Sequence, residues 1–130
     1  MDEKDQNPKA DIEEFRQAIF EDARPWGKFR SFPHQNAGSI KIITVNPGAS
    51  LSYQYHHKRS EFWIALDDGL EVTVGERTWR PKINEEIFIP REAPHRLRGV
   101  GENPARIMEI WIGSSEESDI VRLEDKYGRT

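Results

Sequence analysis

Short apolar runs follow one another from residue 28 to residue 112, and residues that favour turns separate them. Turns are predicted at 46–48, 67–69, 75–76, 90 and 99–104. The runs between them predict nine strands, at 28–32, 40–46, 51–56, 61–67, 70–74, 77–81, 86–89, 95–98 and 106–112. Because no gap between these strands can hold a crossover helix, a parallel α/β fold is excluded. An all-β sandwich or barrel is predicted instead.

One amphipathic helix is predicted ahead of the strands. Ile12, Phe15, Ile19 and Phe20 recur at helical spacing, and Pro25 ends the run, so we expect a helix over residues 11–22. Residues 1–10 are polar and are expected to form a flexible tail. With 130 residues, the chain has the length of one domain, and we assign residues 11–130 to it. The segment 116–130 is expected to form a turn of helix or an extended arm.

The charge distribution limits the classes of binding partner that the chain can have. The formal net charge is −4, and residues 1–25 carry eight acids against four bases, so the remainder is balanced and offers no basic surface for nucleic acid. Cysteine is absent, which excludes disulfides and zinc–thiolate sites. The polar N-terminus and the short apolar run at 62–66 argue against a signal peptide and against a membrane span. We therefore expect a soluble, cytoplasmic protein with no membrane partner.

Four polar side chains from two segments predict a metal site. Gln54 and His56 share one face of a strand, and Glu61 can return beside them after a turn. His95 follows the apolar strand 86–89 after a Pro-rich turn. Two imidazole nitrogens and two oxygens suit one divalent ion, most simply zinc, with nickel, cobalt, manganese or iron also possible. The spacing alone also permits structural histidines and a polar surface.

These spacings resemble the two motifs of the cupin family. Gly48 stands six residues before Gln54, and His56 and Glu61 occupy the next two ligand places of the first motif. Pro90 and His95 match the second motif. The resemblance implies a double-stranded β-helix, a small jelly-roll barrel whose mouth holds one metal. It also implies that the four residues named above are the metal ligands.

Longer sequence segments resemble those of one cupin branch, the type II phosphomannose isomerases. These isomerases usually form the C-terminal domain of bifunctional guanylyltransferase/isomerase enzymes. The segments are RPWG (24–27), VNPG (45–48), LSYQYHH (51–57), RSEFW (59–63), IP (89–90), PHR (94–96) and DIVRLEDKYGR (119–129). The resemblance implies metal-dependent interconversion of mannose 6-phosphate and fructose 6-phosphate through a cis-enediol. A homodimer is the corresponding expectation for an isolated cupin.

The resemblance also implies roles for residues around the metal. Arg122 and Lys126 are predicted catalytic residues, and Arg122 is also predicted to contact the substrate. Ser52 and Arg59 are predicted to bind the sugar phosphate, by analogy with more distant phosphomannose isomerases. The general base is left open among several groups: a metal-bound hydroxide, His57, Lys58, Glu124, Asp125 and Lys126.

Departures from the family pattern keep other functions open. The family usually has histidine where Lys58 and Phe62 stand, and glycine where Asp68 stands. No glycine-rich nucleotide motif is present, so we expect no guanylyl transfer. The alternatives are a non-catalytic cupin that binds a sugar phosphate or a regulatory metal, and an iron dioxygenase-like cupin. The arginine-containing C-terminal segment 119–129 argues against the dioxygenase.

Overall fold

The computed structural model describes residues 9–34, 37–113, 116 and 118–124. Within these ranges one helix precedes eleven strands. They are α1 (Ala10–Ala18), β1 (Phe20–Arg24), β2 (Gly27–Ser31), β3 (Ala37–Val45), β4 (Tyr53–Tyr55), β5 (Arg59–Ala65), β6 (Leu70–Val74), β7 (Arg77–Trp79), β8 (Glu86–Ile89), β9 (His95–Gly99), β10 (Ala105–Gly113) and β11 (Val121–Glu124). The predicted tail at 1–10 lies outside the described residues except for Lys9 and Ala10. No helix in the described ranges is long and apolar enough to cross a membrane.

The helix is shorter than predicted, because its last predicted turn forms a strand. The chain becomes extended at Ile19, with φ −71° and ψ 134°. From Phe20, which pairs with Ser31, β1 runs antiparallel to β2 as a separate two-stranded sheet. The prediction of a helix over 11–22 was therefore wrong beyond Ala18. The hairpin satisfies the backbone hydrogen bonds of this segment with partners on β2, which helical periodicity does not reveal.

The remaining strands form two antiparallel sheets. One has the order β3-β10-β5-β8, and the other has the order β11-β4-β9-β6-β7. The segment after residue 116 supplies β11, which pairs with β4, so its described part is an extended arm. Both sheets contribute to one apolar core, in which Trp63, Ile107, Val72 and Leu97 are nearly inaccessible to solvent.

Strand β5 is buried on both of its faces, and this positions the candidate site. Its alternation sends Arg59, Glu61 and Trp63 to one face and Phe62 to the other. Phe62 packs with Ile12 and Phe15 of α1 in a second apolar cluster. The helix therefore covers one face of β5, while the opposite face carries polar groups into the barrel interior.

Candidate metal centre

Three side chains that were predicted as metal ligands converge inside the barrel. His56, Glu61 and His95 are each 2–3% exposed. His56 Nε2 lies 2.9 Å from Glu61 Oε2, and His95 Nε2 lies 3.7 Å from the same oxygen. One donor atom from each residue falls within 4.8 Å of the others. This buried group could hold a metal ion.

The two sheets supply the three side chains from opposite sides. Glu61 lies on β5, in the four-stranded sheet, whereas His95 begins β9 in the five-stranded sheet. His56 directly follows β4, and in this sheet Gln54 of β4 pairs with His95. The backbone N–H of Glu92 donates to the carbonyl of His56 at 2.7 Å, which ties the loop before β9 to the end of β4. Closure of the barrel thus brings distant segments of the chain to one point.

Backbone carbonyls orient both imidazole rings. His56 Nδ1 lies 2.6 Å from the carbonyl oxygen of Asp119, and His95 Nδ1 lies 2.9 Å from that of Ala93. A carbonyl only accepts hydrogen bonds, so each Nδ1 carries a hydrogen, and the neutral form of each ring presents an Nε2 lone pair to the interior. Burial lowers the pKa of His95, which favours this neutral form. In the described part of the chain, the buried His95 Nε2 has no hydrogen-bond partner.

Glu61 is held as a carboxylate. Its Oε1 accepts a hydrogen bond from Trp63 Nε1 at 2.9 Å, and its Oε2 faces the two histidines. Burial acts to raise the pKa of Glu61, but its contacts with His56, His95 and Arg59 act in the opposite direction. The net effect places the pKa of Glu61 well below its usual range.

This donor set fits a divalent cation of borderline character. Two imidazole nitrogens and one carboxylate oxygen are ligands that zinc and its neighbours accept. Carbonyls that fix the second ring nitrogen are the usual support for such ligands. His56 Nε2 in the neutral ring and Glu61 Oε2 are both acceptors, and acceptors 2.9 Å apart are stabilised when a cation or a proton lies with them.

Gln54 lies beside the cluster, with its amide nitrogen toward it. Its Nε2 is 3.3 Å from His56 Nε2, whereas its Oε1 accepts a hydrogen bond from Ser52 Oγ at 2.5 Å. An amide nitrogen is not a metal ligand, so ligation by Gln54 requires the amide group to rotate by half a turn. Gln54 as a fourth ligand stays a prediction.

The residues that were predicted to bind substrate lie near the metal cluster. Ser52 and Arg59 are 3% and 4% exposed, and both contact side chains of the site. Arg122 pairs with Gln54 in register, so it stands in the same row across the sheet as Gln54 and His95. Its buried Nε has no hydrogen-bond partner among the described residues. A phosphate contact for these groups stays a prediction.

The candidates for a general base are less favourably placed. His57, Lys58 and Glu124 are exposed, and the last two form ion pairs with Glu116 and Arg96, respectively. Lys126, the other predicted catalytic residue, and Asp125 lie outside the described residues.

Sequence reasoning missed a second buried carboxyl, Glu109. Its side chain projects from β10 into the interior, and its Oε1 accepts a hydrogen bond from Trp111 Nε1 at 2.5 Å. Burial and the negative charge of Glu61 raise the pKa of Glu109 to about 8. The sequence did contain a signal for a buried Glu109. Ile107, Glu109 and Trp111 are spaced two residues apart on an apolar strand, so their side chains lie on the same face.

Asp119 was also missed as a support of the site. Its backbone carbonyl orients His56, and its carboxylate accepts hydrogen bonds from the backbone N–H groups of His57 and Lys58 at 3.0 and 2.8 Å. A single residue thus fixes both an imidazole ring and the turn that leads from β4 into β5.

Two solved structures share this architecture. A conserved protein with a double-stranded β-helix domain from Klebsiella pneumoniae superimposes with a TM-score of 0.58 at 13% identity, over 66% of this chain and 74% of that one. A cupin 2 domain-containing protein from Halorhodospira halophila gives a TM-score of 0.56 at 20% identity, over 64% and 56%. The predicted fold is confirmed: the chain is a mostly β cupin barrel, here with a buried His–Glu–His cluster.

Comparison of the sequence with known families assigns this cupin barrel to one family. Residues 11–125 match the family described as mannose-6-phosphate isomerase C-terminal. This chain belongs to that family, as the motifs predicted.

Individual relatives are much longer proteins. The xanthan biosynthesis protein XanB of Xanthomonas campestris is 44% identical over 108 residues, which cover 82% of this chain and 23% of the relative. The mannose-1-phosphate guanylyltransferase ManC of Salmonella typhimurium is 42% identical over 107 residues, which cover 82% and 22%. The chain therefore matches less than a quarter of the length of these relatives.

Proposed function

We propose that this chain is a metal-dependent isomerase that interconverts mannose 6-phosphate and fructose 6-phosphate. The observation that carries the proposal is the buried convergence of His56, Glu61 and His95, with both imidazole Nε2 atoms facing one carboxylate oxygen. Membership of the mannose-6-phosphate isomerase C-terminal family supports the choice of substrate. One divalent ion, zinc in the first instance, is the proposed cofactor, held by these three residues and by Gln54 after rotation of its amide.

The reaction moves a proton from C2 of the aldose to C1 of the ketose through a cis-enediol. Negative charge develops on the oxygens at C1 and C2 during the transfer. A divalent ion would supply Lewis acidity at these oxygens, which is worth several kcal/mol of transition-state stabilisation.

The chain's own residues orient the reacting groups. Carbonyls of Asp119 and Ala93 hold the imidazole rings, so no reorganisation is needed when the substrate binds. Arg122 stands in register with Gln54, and we assign its guanidinium to the sugar oxygens or the phosphate, where a fixed fork of donors matches an anion. Ser52 and Arg59 are the further proposed contacts of the substrate, and Lys126 remains a candidate for proton transfer.

The departures at Lys58 and Phe62 leave the proposed centre intact. Phe62 packs under α1, on the face of β5 opposite to Glu61. Lys58 is exposed and pairs with Glu116 at 3.5 Å. Neither substitution removes a donor from the buried cluster, so turnover is favoured over the alternative of a non-catalytic sugar-phosphate-binding or regulatory cupin.

The proposal is tested with purified protein stripped of metal and then supplied with zinc, nickel, cobalt, manganese or iron. We expect mannose 6-phosphate to be converted to fructose 6-phosphate with at least one ion. His95→Ala is expected to lower kcat/KM by about 100-fold or more, since a ligand is lost. His34→Ala, which removes an exposed histidine, is the matched control and should leave turnover unchanged.

Arg122→Ala should lower turnover while zinc still binds, and Arg98→Ala, at an exposed arginine of the same sheet, is its control. Binding of the sugar phosphate without turnover would favour the non-catalytic alternative. Absence of turnover with every ion would contradict the proposed activity.

Two broader properties accompany the proposal. A homodimer and a cytoplasmic location are expected, as is the absence of a nucleic-acid or membrane partner. Light scattering of the purified chain tests the first.

A further inference from the structure

Arg59 lies inside the candidate metal centre rather than at its rim. Its Nε is 3.3 Å from Glu61 Oε2, the oxygen that faces both histidines. Its Nη2 is 3.2 Å from His56 Nε2. A permanent positive charge thus contacts two of the three groups that could hold a metal ion.

The guanidinium is fixed in this position. Its Cζ lies 3.5 Å from the centre of the Trp111 ring, and its Nη1 donates to the backbone carbonyl of Glu116 at 3.3 Å. Trp111 is itself held by its hydrogen bond to Glu109. An arginine that is stacked on a ring and held by hydrogen bonds at 4% exposure does not leave easily for solvent.

The charge of the centre follows from these contacts. Among His56, Glu61 and His95, one group is a carboxylate, and Arg59 already neutralises it. A divalent ion at the Nε2 and Oε2 atoms adds two positive charges next to the guanidinium, in a buried setting where Coulomb repulsion is weakly screened. Both cations would then contact the same carboxylate oxygen, and the ion would replace the contact between Arg59 Nη2 and His56 Nε2.

We propose that Arg59 is a built-in counter-cation that shares Glu61 Oε2 with the divalent ion, weakens the binding of that ion and keeps it electron-poor. The inference rests on the metal site under "Proposed function", and it gives Arg59 a positioning role in addition to the phosphate contact expected from the family. A shared oxygen donates less charge to the ion than an unshared one, so the ion binds less tightly and polarises its remaining ligands more.

The test measures zinc affinity, independently of turnover, by competition with a chromogenic chelator. Arg59→Gln removes the charge and keeps a polar side chain, and Arg59→Met removes it and keeps an apolar stem against Trp111. Both are expected to bind zinc about tenfold more tightly than the wild type, or more. Arg59→Lys keeps the charge and should stay within about threefold of the wild type. Arg106→Gln, at an exposed arginine paired with Asp67, is the control and should not change the affinity.

Each outcome decides the inference. Wild-type affinity or weaker binding in both neutral variants overturns the role of Arg59 and leaves the metal site standing. Equal tightening by lysine, glutamine and methionine also overturns it, because size rather than charge would then be responsible. If neither the wild type nor a neutral variant binds any divalent ion, the metal site itself fails. If the neutral variants unfold without metal, zinc must refold them at lower concentrations than it needs to protect the wild type, and failure to do so overturns the inference.

Discussion

Glu109 introduces a second carboxyl beside Glu61, and burial acts to raise the pKa of both, but their neighbours differ. Glu61 remains ionised because cationic groups and His56 contact it, whereas burial and the charge of Glu61 raise the pKa of Glu109 to about 8. Lys41 Nζ lies 3.8 Å from Glu109 Oε1, which is too distant to offset both effects. At neutral pH the pair Glu61 and Glu109 therefore consists of one carboxylate and one carboxylic acid.

The raised pKa of Glu109 predicts a pH-dependent stability. In the unfolded chain this carboxyl ionises near pH 4.5, but in the folded chain it keeps its proton up to about pH 8. Between these values the folded state binds more protons than the unfolded state, so the contribution of Glu109 to stability falls as pH rises. Glu109→Gln mimics the protonated form and keeps an acceptor for Trp111. It should raise the melting temperature of the metal-free protein at pH 8 by ~3–5 °C, which corresponds to about 1 kcal/mol.

The comparison is made by calorimetry at pH 5 and pH 8. The stabilisation by Glu109→Gln should be much larger at pH 8 than at pH 5, because at pH 5 the folded wild type is still neutral at this position and the pH lies only just above the pKa of the unfolded carboxyl. An equal effect at both pH values would show that packing, and not ionisation, is responsible.

Asp119 predicts an effect on metal affinity from a residue that would not touch the ion. Asp119→Ala removes the acceptor for the N–H groups of His57 and Lys58, so the turn that carries His56 loosens. Supporting residues of this kind change metal affinity by about 10- to 100-fold. We expect zinc affinity to fall by about tenfold in chelator competition, with Glu124→Ala as an exposed control. Unchanged affinity would mean that the backbone carbonyl orients His56 without help from the side chain.

At the scale of elements, helix α1 supports the site from behind. Phe15 and Ile12 cover Phe62, whose neighbour Glu61 points to the interior. Arg91, in the loop before β9, lies 3.1 Å from Asp11 of the helix, and its backbone N–H donates to Ser60 Oγ at 3.0 Å. The helix thus contacts both β5 and the loop that leads to His95.

Phe15→Ala is expected to destabilise the fold without changing the donor set. Phe15 is 6% exposed and packs 5.1 Å, centre to centre, from Phe62, so its truncation should cost about 3–5 kcal/mol in denaturant unfolding. Gln17→Ala, on the exposed side of the same helix, should change stability by less than about 0.5 kcal/mol. A loss below about 1 kcal/mol for Phe15→Ala would indicate that the helix is not packed on β5 as described.

The alternation of side chains along a strand predicted much of the site, because β4 and β5 alternate regularly between their two faces. It placed Gln54 with His56, and Arg59 with Glu61, on common faces, as the contacts of these side chains bear out. It did not identify Glu109, because the relevance of that residue depends on the pairing of β10 with β5, which joins residues almost fifty positions apart in the chain. The end of the helix was missed for a similar reason, since Phe20 is drawn into a hairpin by its pairing with Ser31.

At the scale of the whole molecule, the proposed ligands belong to different sheets. Glu61 comes from the four-stranded sheet, whereas His95 comes from the five-stranded sheet and His56 follows a strand of it. An ion bound by all three would link the two sheets at the point where these side chains converge. Its binding should therefore stabilise the barrel as a unit.

This linkage predicts a large thermal shift on addition of zinc. A ligand that binds only the folded state at 100 times its dissociation constant adds about 2.7 kcal/mol, which corresponds to a rise of ~8–13 °C for a domain of this size. Scanning calorimetry measures the melting temperature, first with a slight excess of chelator and then with a slight excess of zinc. The far-UV circular dichroism signal of the strands should show a single unfolding transition for both the metal-free and the zinc-bound protein. His95→Ala should lose most of the shift, and His34→Ala should retain it. An equal shift in both variants would place the zinc elsewhere on the chain, because the link between the sheets requires the imidazole of His95.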